Sequence, residues 1–200
     1  MNTWQLSGNI EGHGIKGKKF PTMWIAINLP LTKLGIDRPN KVFVTLDIDP
    51  STTSTNGRLA EHIKHTISKD KFIVAHECLV TGIPFSKKKD DGEWETIHKP
   101  GLKTTVRRIS LLDRRPEEIN VGLIQGKVVT HSKDKIIVED RYRIPSTGEW
   151  KSRNIPLLLP RVATNSLVGK SILAQAQACG VTPEGESKFF GLVEKFMILQ

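Results

Sequence analysis

The sequence predicts an all-β protein with short helices, built as two consecutive five-stranded barrels of which the second is incomplete. Three observations carry this reading. Short segments in which apolar residues alternate with polar ones recur along the whole chain, separated by turn-forming residues. Strands, loops and one amphipathic stretch in residues 1–113 follow the order of a closed small barrel. A charged break with a proline, Asp113-Arg114-Arg115-Pro116-Glu117, then introduces a second run of strands. With 200 residues, 38% of them hydrophobic and 26% charged, the chain has the composition of folded globular protein rather than disordered polymer.

In chain order, Trp4, Leu6 and Ile10 alternate onto the inner face of a first strand. Residues 12–17 then spell G-x-G-x-x-G. A dinucleotide fingerprint would have to open a helix, and Lys18-Lys19-Phe20-Pro21 followed by a strand does not. The segment is expected to be a glycine loop whose Lys16, Lys18 and Lys19 can meet phosphates. Residues 20–49 read as a long hairpin with a basic loop between its strands. Met23, Ile25, Ile27 and Leu29 face inward on one strand, and Val42, Val44, Leu46 and Ile48 on the next. This leaves Trp24 and Phe43 on the outer face beside Lys41. Aromatic rings on the wet side of a well-patterned sheet are not there for burial, and stacking against nucleobases is one use for them.

The polar stretch 51–57 supplies N-caps for a helix over 58–68, on which Leu59, Ile63 and Ile67 form the buried stripe. A fourth strand is expected over 72–83. It leads into a charged excursion, residues 85–94, with Phe85 and Trp94 at its ends and Lys87 and Lys88 within it. A fifth strand is expected over 104–112, where adjacent Arg107 and Arg108 must point to opposite faces.

Strand, glycine loop, strand, long loop, strand, helix, strand, excursion, strand is the order of a five-stranded OB-fold barrel. Four segments in that order resemble the bacterial single-stranded DNA-binding protein family: Leu6-Ser7-Gly8-Asn9-Ile10, Gly57-Arg58-Leu59-Ala60-Glu61, the turn Ser68-Lys69-Asp70-Lys71, and Lys103-Thr104-Thr105-Val106. The resemblance covers residues 1–113. It implies base stacking on Trp24 and Phe43, and more loosely on Trp94. It also implies four OB domains per assembly, hence a homodimer of a chain with two. The family's acidic C-terminal tail has no counterpart in Glu194-Lys195-Phe196-Met197-Ile198-Leu199-Gln200, which reads as a strand, so enzyme recruitment through such a tail is not carried over.

Residues 114–118 form a linker, and 119–200 a second OB-like domain. Leu123-Ile124-Gln125-Gly126-Lys127-Val128 echoes the first strand. A hairpin follows over 135–159 with its turn at 145–149, then a helix over 167–178 stopped by Gly180, then a last strand over 188–199. Counted this way the second unit lacks a strand, and its open edge is expected to supply most of the dimer contact. If Ile137, Glu139, Arg141 and Arg143 face outward, Tyr142 is core, and Arg141, Arg143, Lys151 and Arg153 form a basic stripe over the hairpin. Trp150 fits either face.

Thirty Lys and Arg against 21 Asp and Glu give a formal charge of +9, shared by both halves, which favours a polyanionic partner. No apolar run is long enough to span a membrane and no signal-peptide pattern opens the chain, so a cytoplasmic protein is expected. Cys78 and Cys179 lie outside any metal or disulfide spacing. Gly169-Lys170-Ser171 lacks the preceding glycine-rich cradle of a phosphate loop. No catalytic set, metal site, cofactor or small-molecule substrate is suggested. The expected function is non-enzymatic, largely sequence-independent binding and protection of single-stranded DNA in replication, repair or recombination. The rivals are an OB-fold RNA-binding protein or chaperone, and a scaffold whose exposed aromatics anchor a partner protein.

Overall fold

The computed structural model describes residues 1–16, 21–29, 40–48, 54–144, 147–161, 165–181 and 187–199. Among the described residues eleven strands form one continuous sheet, most of them with inward-facing aliphatic residues at every second position over the barrel. In chain order they are β1 (Asn2–Lys16), β2 (Thr22–Asn28), β3 (Lys41–Asp47), helix α1 (Thr55–Thr66), β4 (Phe72–Lys88), β5 (Trp94–Thr104) and β6 (Ile109–Leu112). β7 (Asn120–Ser132), β8 (Lys135–Arg143), β9 (Trp150–Leu158), β10 (Ser171–Val181) and β11 (Ser187–Leu199) follow. The sheet closes on itself twice. Neighbours run β1-β2-β3-β5-β4 with β4 returning to β1, and again β7-β8-β9-β11-β10 with β10 returning to β7. β3–β5 and β9–β11 are the parallel pairs in these circuits. Both circuits have OB-fold topology.

The inner faces of β2 and β3 are as the alternation predicts, with Met23, Ile25, Ile27, Leu29, Val42, Val44 and Leu46 buried. Helix α1 starts three residues earlier than expected because Ser54 accepts a hydrogen bond from the Gly57 amide at 2.9 Å. Its Ala60 and Ile63 pack into the core, and His62 and His65 are exposed. Trp4 is core: its ring meets Phe189 of β11 edge-on at 5.7 Å, and its indole N–H donates to the Asn2 side chain. One apolar cluster therefore runs from the first circuit into the second.

Several elements differ from the sequence reading. The glycine segment is no loop as far as it is described, since β1 continues through Lys16 and pairs Gly14 with Trp24. The strand expected to stop at residue 83 runs on to Lys88, and its long partner is β5, while of 104–112 only β6 pairs with it, from Phe72↔Leu112 to Ala75↔Ile109. Pro100 sits opposite Gly82 inside the β4–β5 ladder. Residues after Thr104 form a 3-10 turn, Val106–Arg108, and then the short β6.

The expected helix over 167–178 is a strand, and Gly180 lies within β10 rather than capping a helix. Alanine-rich Leu-Ala-Gln-Ala-Gln-Ala favours a helix in isolation. Its period-two set Ile172, Ala174, Ala176 and Ala178 is buried, because β10 is hydrogen-bonded on both sides, to β7 and to β11. Restoring that strand gives the second circuit all five members, so it has no missing strand, and the argument that an open edge drives dimerisation falls away.

Backbone and side-chain hydrogen bonds also join the circuits. β1 pairs antiparallel with β7 from Asn2↔Ile124 to Leu6↔Asn120. The connection at 114–119 is strapped to β1, with the Ile119 amide donating to Ser7 Oγ at 2.8 Å. The buried Asn40 side chain donates to Ala178 O at 2.9 Å and accepts from the Gly180 amide at 3.0 Å, clasping the start of β3 to β10.

Candidate nucleic-acid interface

Trp24 and Phe43 come together on the outer face of β2 and β3. Their strand positions are diagonal, since Trp24 pairs with Thr45 and Ala26 with Phe43, and the rings meet edge-on at 6.0 Å. Phe43 is 44% exposed and Trp24 is half-exposed. The indole lies flat across β1 because residue 14 has no side chain: a Cβ there would fall 2.7 Å from Trp24 Cζ2. Gly12 also stands beneath the ring. Two glycines at strand spacing opposite a tryptophan were the sequence signal for this seat, and their match to a dinucleotide motif obscured it.

Charged residues frame the platform in pairs. Lys41 lies 3.9 Å from Glu11, and Lys103 lies 2.6 Å from Asp47. Lys18 and Lys19 fall outside the described residues, as does most of the β2–β3 connection.

β4 and β5 continue past the barrel as an arm whose last pair is Lys88↔Trp94. Trp94 is 69% exposed. Strand alternation divides the lysines: Lys87 shares a face with Phe85, and Lys88 shares the other face with Trp94. Lys89 pairs with Glu93 across the tip at 3.5 Å. Lys16 Nζ lies 5.8 Å from the Phe85 ring centroid and Lys99 Nζ 5.7 Å from it. Lys99 belongs to a strand that the sequence reading did not find.

Arg107 and Arg108 do not occupy a strand, so the argument that they face opposite ways does not hold. Both are exposed on the 3-10 turn. Arg107 Nε donates to Asn56 Oδ1 at 2.7 Å, and Arg108 lies 2.5 Å from Glu77. These contacts tie the pair to the N-terminal turn of α1 and to β4.

In the second circuit Trp150 stands opposite Arg143 at the end of the β8–β9 hairpin and is 70% exposed. Ile137, Glu139, Arg141 and Arg143 do face outward. Arg141 lies 3.4 Å from Glu139, and Arg143 Nε donates to Gly148 O at 2.9 Å. The four-residue basic stripe is split. Lys151 and Arg153 pair with Tyr142 and Asp140 and so take the opposite face. Arg153 stacks 3.7 Å over the Tyr142 ring and lies 4.0 Å from buried Asp140. Tyr142 is accordingly half-buried beneath a guanidinium rather than core.

Burial pushes both thiols, Cys78 and Cys179, up to about 12, so they stay protonated and weakly nucleophilic at neutral pH. Lys64 and His65 beside Glu61 hold its carboxyl below the usual range, an exposed helix-face arrangement. Among the described residues no group of His, Cys, Asp and Glu comes together in a way that could hold a metal ion. No helix among them is long and apolar enough to cross a membrane.

No protein-family model matches the chain, and no curated protein matches it. Among solved structures it is similar to a deletion mutant of the single-stranded DNA binding protein from Thermus aquaticus. The likeness has a TM-score of 0.64 and covers 100% of this chain and 95% of that one at 12% identity. At that identity it is a likeness of fold, and it runs through both circuits.

Proposed function

We propose that this protein binds single-stranded DNA without strong sequence preference and performs no chemistry on it. The observation that carries the reading is the Trp24–Phe43 pair on the outer face of a barrel, Phe43 exposed and Trp24 partly so, in a chain of net charge +9. Ring faces accept any base by stacking, and the excess of cations holds the phosphates. Similarity of fold to a protein named for binding single-stranded DNA supports the same reading. Its role is to cover and protect exposed strands in the cytoplasm during replication, repair or recombination. Two copies acting together would present four barrels to one strand.

Titration with oligo-dT at several salt concentrations, followed by tryptophan fluorescence, tests it. Quenching on binding and a linear fall of log affinity with log salt are expected. Salt-insensitive binding, or no binding, would set the reading aside. Tighter binding to oligo-U of equal length would move it to RNA. Sedimentation mass measurement tests the pairing of copies, and a monomer at micromolar concentration would refute it.

A further inference from the structure

We propose that a crevice on the second barrel, lined by β7, β8 and β10, docks an extended acidic peptide of a partner protein. The two barrels are built alike at this place. Gly8 lies against Asn28 O and Gly126 against Glu139 O, each so closely that neither has room for a Cβ. The first strand of each barrel forks there: Asn9 pairs with Asn28 on one side and Phe72 on the other, and Lys127 with Glu139 and Ser171. A crevice opens at each fork, of about 240 Å³ beside Gly8 and about 300 Å³ beside Gly126.

In the first barrel the chain itself bridges the crevice. Arg115, Pro116 and Glu118 line it together with the strands. Ser7 fixes the crossing, because its hydroxyl donates to Glu117 O and accepts from the Ile119 amide at 2.8 Å. In the second barrel Gln125 stands where Ser7 does: its amide donates to Met1 O as the Ser7 amide donates to Ile119 O. Gln125 is exposed, and its side chain carries a donor and an acceptor, the pair that Ser7 uses. Among the described residues only β7, β8 and β10 line this second crevice.

Charge identifies the occupant. In the first crevice the strands contribute no charged residue, and the segment across it is neutralised within itself by the Arg115–Glu118 pair. The second crevice sets two cations about one carboxylate, since Lys127 is the ladder partner of Glu139 and Arg141 lies 3.4 Å from it. Lys170, exposed and next to Ser171, adds the same sign. An extended segment that bears carboxylates supplies the missing negative charge, and its backbone supplies partners for Gln125. None of the lining residues is aromatic, so the crevice offers a nucleobase no ring to stack on. A peptide therefore fits it better than an unpaired nucleic-acid strand.

The test uses the full chain and a fluorescein-labelled peptide of four glutamates between two glycines, followed by anisotropy, with the matching lysine peptide as control. Lys127→Glu and Arg141→Glu should each weaken the acidic peptide about tenfold, the scale of a reversed charge at a contact. Gln125→Ala should weaken it about fivefold, one lost hydrogen bond. Lys69→Glu makes the same charge change on an exposed turn of the first barrel and should alter binding less than about twofold. Binding should also persist when the protein is saturated with oligo-dT of about 20 nucleotides. No binding below about 1 mM, or lysine peptide bound as tightly as glutamate peptide, would overturn the site. Equal losses in Lys69→Glu and in the crevice variants would do the same, by showing a general attraction to a basic surface. Displacement of the peptide by oligo-dT, with Arg141→Glu weakening both, would make the crevice a phosphate contact and end the proposal while leaving the single-strand reading in place.

Discussion

Across β2 and β3, Ile27 faces Val42 and Ala26 faces Phe43; across β8 and β9, Val138 faces Ile155 and Ile137 faces Pro156. The registers of the two barrels can be matched from these pairs outward. Ile10 meets Ile27 where Val128 meets Val138, and each first strand then slips register, at Ile10/Gly12 and at Val128/Thr130. Val44 meets Leu102 where Leu157 meets Gly191. Even a buried amide recurs: Asn2 bonds the Val80 amide and carbonyl, and Asn120 bonds those of Ala178. The frame that closes a barrel is present twice. The outer face is not. Where Gly14 seats Trp24, Ser132 faces Lys135, and where the first barrel shows Phe43 the second has Pro156. Closure constrains inward side chains and backbone hydrogen bonds, and leaves outward positions free to diverge.

The strongest way to break this equivalence lies in the frame. A Cβ on Gly8 would fall 2.2 Å from Asn28 O, and one on Gly126 2.2 Å from Glu139 O. Neither strand can yield without opening its ladder. Gly8→Ala and Gly126→Ala should each cost about 3 kcal/mol, at the upper end of overpacking. Urea melts of both variants check it, and a marked difference between them would mean that the barrels are not built alike.

The next effect concerns the join. Truncating Asn40 leaves the buried Gly180 amide without its acceptor, and Asn120 continues to satisfy Ala178 O. Asn40→Ala should therefore cost about 2 kcal/mol, the penalty of one stranded buried donor. A fragment of residues 1–113 loses this clasp and the β1–β7 ladder together, so it should melt well below the full chain. Equal melting temperatures would show that the barrels are thermodynamically independent.

On the faces the comparison should be lopsided. Trp24→Ala or Phe43→Ala is expected to weaken oligo-dT by more than about tenfold, with stability changed by less than about 1 kcal/mol. At the matching positions, Lys135→Ala and Pro156→Ala should alter affinity less than about twofold. Equal losses in both barrels would mean that the second also carries a binding face over β8 and β9.

Inward faces were legible in the sequence because burial imposes a strict period of two, and Met23 through Leu46 follow it. The platform was legible for the converse reason, as Trp24 and Phe43 violate the expected pattern. What the sequence hid were segments whose local preference opposes their place in the sheet. Ala174, Ala176 and Ala178 favour a helix until two neighbouring strands claim their backbone. Residues 94–104, by contrast, bury only Leu102 and Thr104 and so show no period of two, which leaves 104–112 as the apparent fifth strand. The first of these segments removes a strand from the second barrel, and the second misplaces β5 and with it Lys99. The Asn40 clasp gives no periodic signal at all, since it joins positions 138 and 140 residues apart.

The smallest expected effect separates basic side chains by their partners. Lys87 and Lys88 lie on the two faces of the arm, Lys87 opposite Glu95 and Lys88 opposite Trp94, and among the described residues no carboxylate oxygen lies within ion-pair distance of either. Arg107 and Arg108, by contrast, are already engaged with Asn56 and Glu77 beside α1. A side chain that meets phosphate releases counterions from a single strand, and removing it lowers the slope of log affinity against log salt by about 0.7. Lys87→Ala with Lys88→Ala should thus flatten the slope by up to about 1.4, and by only about 0.7 if the strand follows one face of the arm. Arg107→Ala with Arg108→Ala should leave it unchanged, because those guanidinium groups stand on the helix side, one held by Asn56 and the other facing Glu77. Titrations of the two double variants between low and moderate salt decide it. A slope that falls for the arginine pair and holds for the lysine pair would place the strand at the α1 end of the barrel instead of along the arm.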